Sequence, residues 1–197
     1  MKIFNFPQYS EKWWEIRSKK MTASHAQAIG SCGKGLESYA LELVATHYSK
    51  SKDSYSNGHM ERGLELEPEA AVVYQAETLS DVQEIGFVVM DDHVGCSPDR
   101  LVDDRGLLEI KCLSDKVYFQ LLMTGKIEPK YLWQMQMQML VCDREWCDFF
   151  AYNPNFDRHC WMERIYPDPA KFEKLLDGIE KGKELIQEIE NKYLAAA

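Results

Sequence analysis

Asp99, Glu109 and Lys111 carry the densest chemistry in this sequence. They lie in Ser97–Cys112, SPDRLVDDRGLLEIKC, where an acid and an amine two residues apart interrupt an apolar run. Successive strand side chains alternate between faces. Glu109 and Lys111 therefore share one face of a strand, roughly 6–7 Å apart, while Leu108 and Ile110 take the other. Asp103-Asp-Arg-Gly106 reads as turn chemistry, with Gly106 as the left-handed residue closing a loop of Asp104, Arg105 and Gly106. That turn pairs Asp103 with Leu107, sets Asp99 opposite Lys111 and diagonal to Glu109, and gathers all three on one face. An exposed sheet face bearing charges is the bland alternative. The apolar character of the strands and Pro98, which fixes the backbone beside Asp99, weigh against it.

Two carboxylates in a partly dry site repel each other, and a divalent cation removes that cost. Mg²⁺ takes one or two carboxylates, keeps waters and accepts phosphate oxygens; Mn²⁺ accepts the same ligands. A metal-bound water becomes a nucleophile, and the metal with a nearby lysine neutralises charge building on phosphorus. This is the chemistry of phosphodiester hydrolysis.

The elements that must hold these residues read as a mixed α/β fold. The sequence predicts helices over Ser10–Arg17, capped by Ser10, and Thr22–Ile29, ended by Gly30. SCGKG at 31–35 reads as a loop, followed by helices over Leu36–Tyr48 and Met60–Thr78, with Pro68 at a first turn or kink. Ser49–Gly58 reads as a polar loop. Val82–Met90, Val94–Val102 and Leu107–Leu113 read as strands. Helices over Lys116–Gly125 and Pro129–Cys142 come next, then strands Trp146–Tyr152 and His159–Ile165, and a charged helix over Pro169–Leu194. This order implies a central mixed sheet flanked by helices.

The chain has 197 residues, 45% hydrophobic and 28% charged, which suits one domain over 1–197. Neither a signal peptide's apolar core nor a bilayer-spanning run is found, so a cytoplasmic protein with no membrane partner is the expectation. The six cysteines form no CxxC pair and read as reduced, mostly buried thiols. The five histidines show no metal-binding spacing. A net charge of −9 argues against a broad basic DNA-binding surface, though a few lysines in one groove suffice for phosphates.

Pro98-Asp99, nine intervening residues, then Glu109-Ile110-Lys111 is similar to the PD-(D/E)XK nuclease motif and its restriction-endonuclease-like core. Ser97-Pro-Asp99, Leu108-Glu-Ile-Lys-Cys112, Tyr131-Leu-Trp-Gln134, Arg17-Ser-Lys-Lys-Met-Thr-Ala-Ser24 and Gly63-Leu-Glu-Leu-Glu67-Pro-Glu-Ala70 resemble, in order, the lambda exonuclease / YqaJ-type viral recombinase family. The resemblance covers roughly residues 13–142.

It implies a Mg²⁺-dependent exonuclease of phage recombination, acting in the cytoplasm of a bacterial host. Such an enzyme degrades one strand of double-stranded DNA 5′ to 3′ and releases mononucleotides, leaving a 3′ overhang. It implies a homotrimer ring around the duplex and a single-strand annealing protein as partner. By position, Glu67, Asp99 and Glu109 match the acidic metal-site residues, with the Ile110 carbonyl as a further ligand. Lys111 matches the catalytic lysine and Gln134 a glutamine beside the nucleophilic water. Arg17, Ser24 and Ser97 match residues for the terminal 5′-phosphate, and Met60 sits where an apolar wedge would part the last base pair. Each has an ordinary structural alternative: Glu67 and Gln134 as polar helix faces, Arg17 as a surface arginine, Ser24 as a cap. Trp13 and Trp14 read as core anchors. Lys19, Lys20, Lys34, Lys50 and Lys52 are the first candidates for a basic channel, ahead of Lys116, Lys126 and Lys130. The competing functions are a structure-specific or restriction-type endonuclease on the same fold and a non-catalytic DNA-end-binding module.

Overall fold

The computed structural model describes residues 1–49 and 58–196, with side chains of the second segment described from Arg62 onward. The expected polar loop at 49–58 falls almost wholly outside them. Chain order begins with β1 (Lys2–Phe4), α1 (Glu11–Arg17), β2 (Met21–Thr22), a 3-10 turn (Ala23–His25), α2 (Ala26–Ser31), α3 (Lys34–Tyr48) and α4 (Gly58–Thr78). It continues with β3 (Val82–Glu84), β4 (Phe87–Val89), β5 (Val94–Cys96), β6 (Arg100–Val102), β7 (Gly106–Lys111), α5 (Asp115–Thr124) and α6 (Pro129–Cys142). The last elements are β8 (Trp146–Tyr152), β9 (Cys160–Ile165) and α7 (Pro169–Ala196).

Local chemistry sets several boundaries. The Ser10 hydroxyl accepts the Trp13 N–H at 3.3 Å and caps α1. Pro129 opens α6. Gly125, at φ 60°, ends α5, and Asp143, at φ 50°, ends α6. The second expected helix breaks into the 3-10 turn and α2. Gly30 does not end it but lies buried inside, where a Cβ would strike the Trp133 ring. The left-handed residue that does end it is Cys32, at φ 50°.

Two mixed sheets replace the single sheet expected. One has the order β1-β4-β5-β2, the other β3-β6-β7-β8-β9. The runs 82–90 and 94–102 each break and pass from one sheet to the other. Gly86 marks the first break, where a Cβ would collide with the Phe6 and Phe4 carbonyls. Ser97-Pro98-Asp99 is the second, and Pro98 has no N–H to continue a ladder. Asp99 therefore stands at a corner between sheets.

The faces of the five-stranded sheet divide by parity. Leu107, Cys147, Phe149 and Ala151 join the larger core, with Met135, Met137 and Met139 of α6 and Leu175 and Ile179 of α7. Leu108, Ile110, Phe150 and Tyr152 meet Ala70, Ala71 and Tyr74 of α4. The six cysteines are free thiols; Cys96, Cys142 and Cys147 are buried and the others half-buried.

Asp148 is a buried carboxylate on β8. Arg164 of β9 donates to it twice, at 2.7 and 2.9 Å, and the Tyr74 hydroxyl donates at 2.7 Å. Removing the guanidinium strands a buried charge, whereas Arg164 itself is 40% exposed. Arg164→Ala should therefore cost about 2 kcal/mol rather than the larger loss of a fully buried pair, with a fall in Tm of roughly 4–8 °C by calorimetry.

Candidate active site

Strand β7 carries Glu109 and Lys111 on the large-core face. Its hairpin partner is in a different register from the one read from sequence. Val102 pairs with Gly106 and Arg100 with Leu108, so the turn is Asp103-Asp104-Arg105. The left-handed residue is Asp103, at φ 46°, a conformation Asp tolerates. Gly106 is instead the first strand residue, where a Cβ would run into the Trp146 ring. The slip moves Asp99 from Lys111 to the level of Glu109 and Ile110 but preserves parity. Asp99, Glu109 and Lys111 still gather, and the Ile110 N–H donates to Asp99 Oδ2 at 2.6 Å.

Glu109 is 1% exposed. Its Oε1 accepts from the Lys111 ammonium and from Gln134 Nε2, the latter at 2.6 Å. Its Oε2 accepts from Gln138 Nε2 at 2.6 Å. Gln134 and Gln138 lie one turn apart on α6, so both reach the same carboxylate. The Lys111 ammonium also lies 5.1 Å from the Tyr131 ring centroid. Glu67 approaches from α4. It pairs with Arg100 at 2.8 Å, and Arg100 also donates to the Asp99 carbonyl at 2.6 Å.

Electrostatics bind these groups into one unit. Burial, then Glu109 and Glu67, push the Asp99 carboxyl well above its ordinary range. Burial also raises Glu67, against the pull of Arg100. Burial is the largest influence on Lys111 and would lower it, but Glu109 and Asp99 together hold it above its usual value. Tyr9 is raised by burial, Asp99 and Glu67, and feels both Arg17 and Lys111. It thus sits between the carboxylates and a second cluster.

That cluster is built on α1 and the 3-10 turn. Arg17 Nη2 donates to Thr22 Oγ1 and Ser24 Oγ, each at 3.2 Å, and the two hydroxyls lie 3.1 Å apart. The Arg17 guanidinium rests over Trp13 at 4.7 Å, and Trp13 Nε1 donates to Ser97 Oγ at 2.8 Å. Trp13 is buried, as a core anchor should be, whereas Trp14 is half-exposed. Ser24 makes no helix cap: its hydroxyl meets Arg17, Thr22 and His25 instead. Met60 lies on the first turn of α4, where its side chain is outside the described residues, as are Lys50 and Lys52. Lys19 pairs with Glu190 at 2.8 Å and Lys20 donates to the Asp92 carbonyl at 2.7 Å. Lys130 pairs with Glu128 at 2.8 Å.

Arg100, Thr22, Tyr9 and Gln138 were not singled out in the sequence. Arg100 carried a signal, since a charged residue opening the apolar strand after Pro98-Asp99 needs a partner. Gln138 carried one too, being one turn from Gln134.

Among the described residues no group of three His, Cys, Asp or Glu side chains converges as a ready ligand set. The cause is visible: Glu67 turns onto Arg100 and Glu109 onto Lys111, Gln134 and Gln138. The donor chemistry nevertheless fits a hard divalent cation. Asp99 forms no ion pair among the described residues, and its charge is opposed by burial and two other carboxylates.

This conflict has a measurable consequence. The raised Asp99 carboxyl favours the fold while protonated, and that contribution is lost as pH rises through its folded pKa. Metal-free Asp99→Asn should melt above wild type by roughly 2–4 °C at about pH 8, as expected for about 1 kcal/mol. Acidification should close the gap. A lower melting point for the variant at alkaline pH would contradict the electrostatic account.

Among solved structures, the alkaline exonuclease LHK-Exo from Laribacter hongkongensis matches with 34% identity over 95% of this chain and 98% of that one, at a TM-score of 0.86. The structure of LHK-Exo in complex with dAMP matches at 0.87 with the same identity and coverage. A phage related exonuclease from Haemophilus somnus 129PT shares 13% identity over 88% of this chain and 96% of that one, at a TM-score of 0.71, and shows the common fold alone. A search of curated proteins gave no match. Residues 12–145 match the YqaJ-like viral recombinase domain, and with the fold of the exonuclease structures behind it the chain belongs to that family.

Proposed function

We propose that this protein is a metal-dependent exonuclease that degrades one strand of linear double-stranded DNA from a 5′-phosphorylated end, releasing mononucleotides. The observation that carries the reading is the gathering of Asp99, Glu109 and Lys111 at the corner of two sheets, beside the Arg17–Thr22–Ser24 cluster. The 34% identical alkaline exonuclease supports the same class.

Asp99 and Glu109, with the Ile110 carbonyl and Glu67, would hold Mg²⁺, or Mn²⁺ in its place. Bound there, the cation supplies an activated water and offsets charge on the phosphate. Lys111 places its ammonium beside the same carboxylates, where it stabilises charge developing on the phosphate oxygens. Gln134, beside Lys111 on the Glu109 carboxylate, orients the attacking water. Arg17, Ser24 and Ser97 receive the terminal 5′-phosphate. Burial lowers the Arg17 pKa, yet guanidinium stays charged, and its two hydroxyl partners are exchangeable for phosphate oxygens.

The chain acts as one domain over 1–197. A ring of three copies supplies processivity that an overall charge of −9 does not. The 3′ overhang passes to a single-strand annealing protein in phage or prophage recombination inside a bacterial cell. Among the described residues no helix is long and apolar enough to cross a membrane.

The test uses linear duplexes labelled on each strand, carrying 5′-phosphate or 5′-hydroxyl, beside a closed circle. Loss of 5′ label as mononucleotide, faster with the phosphate and absent from the circle, is expected. Nicking of the circle would favour an endonuclease. Binding of ends without turnover would favour an end-binding module.

A further inference from the structure

We propose that Gln138 is a positioning residue for metal capture. It fixes the Glu109 carboxylate so that Oε2 is the oxygen left free for the cation. This rests on the exonuclease reading above and names a residue for which that reading has no role.

The two flanking glutamines of α6 make the contrast. Gln136 is buried and satisfied at both ends: its Nε2 donates to the Tyr166 carbonyl at 2.8 Å, and its Oε1 accepts the Asp168 N–H at 2.8 Å. That is a structural glutamine, tying α6 to the start of α7. Gln138 is fully buried, yet only its amide nitrogen is used. Its Oε1 is buried with no hydrogen-bond partner among the described residues. An unsatisfied buried acceptor opposes folding, and the neighbouring Met135, Met137 and Met139 show that α6 has apolar alternatives for this core. The benefit of Gln138 therefore lies in its one bond, and that bond goes to Glu109.

Counting lone pairs gives the bond its purpose. Glu109 Oε1 accepts from two donors, Lys111 and Gln134, and is filled. Among the described residues Oε2 accepts only from Gln138, so one lone pair remains and its direction is set by the Gln138 amide. With no solvent exposure, Gln138 cannot touch substrate. It acts through Glu109, as a buried partner orients a ligand.

The experiment is calorimetric titration of Mn²⁺ into wild type, Gln138→Met, Gln138→Asn and Gln136→Met, with thermal unfolding of each metal-free protein. Met conserves volume without a donor; Asn keeps the amide but is one methylene too short to reach Glu109. Both should weaken Mn²⁺ about tenfold or more. Gln138→Met removes the unpartnered Gln138 oxygen but leaves Glu109 Oε2 a buried acceptor without its donor, so its metal-free melting point should fall. Gln136→Met should lower the melting point and leave Mn²⁺ affinity at the wild-type value. Wild-type affinity in either folded Gln138 variant, or an equal loss in Gln136→Met, overturns the proposal. If wild type cleaves DNA and binds Mn²⁺ while both Gln138 variants bind it equally well, only this inference falls. If wild type neither binds nor cleaves, the exonuclease reading falls with it.

Discussion

Lys111→Ala should reduce the cleavage rate constant about 10³-fold, the scale of losing one preorganised charge at a developing oxyanion, with DNA-end affinity changed by less than about tenfold. Lys111 is held by Glu109 and lies beside Tyr131, and Asp99 adds to the field that keeps it protonated. In the metal-free protein these two carboxylates favour the charged ammonium. Truncation leaves Glu109 with both glutamine donors, so the carboxylate keeps its place. Loss of turnover with retained binding, measured by single-turnover kinetics and by end-labelled DNA titration, separates this role from scaffolding. Wild-type turnover in Lys111→Ala would remove the lysine from the mechanism.

Arg17→Ala should sharply reduce discrimination between 5′-phosphate and 5′-hydroxyl ends. A charge-assisted bond to phosphate contributes about 1.5–3 kcal/mol, or roughly 10–100-fold in kcat/KM on phosphorylated DNA. The hydroxyl-ended substrate gains nothing from that bond, so its rate should barely move. Arg17 also rests on Trp13, and loss of that contact would lower both rates alike. The ratio of the two substrates, not the absolute rate, is the informative quantity. A ratio unchanged from wild type would place the end-recognition site elsewhere.

Some of this was legible in the sequence because the signal was local. Pro129 and the period of α6 fixed Pro129–Cys142, and alternation with flanking turns fixed Trp146–Tyr152. Parity alone put Asp99, Glu109 and Lys111 together, which is why the site survived a hairpin register that was read two residues off. Other features depend on contacts distant in the chain. Gly86 and Pro98 break two continuous apolar runs only because the chain there passes between sheets. Gly30 looks like a helix terminator until Trp133, from another helix, is seen against it. β1 is three residues long and has no pattern of its own. The Arg100–Glu67 pair and the Thr22 hydroxyl beside Arg17 join elements whose packing no spacing rule announces.

Three groups from one hairpin, with a divalent cation, are proposed to hydrolyse DNA from a phosphorylated end. Release of acid-soluble mononucleotides from a 5′-phosphorylated linear duplex tests this most directly, run with Mg²⁺ and with a chelator on wild type and Asp99→Asn. Release is expected only from wild type and only with Mg²⁺; equal release in chelator, or from Asp99→Asn, would contradict this role for the hairpin.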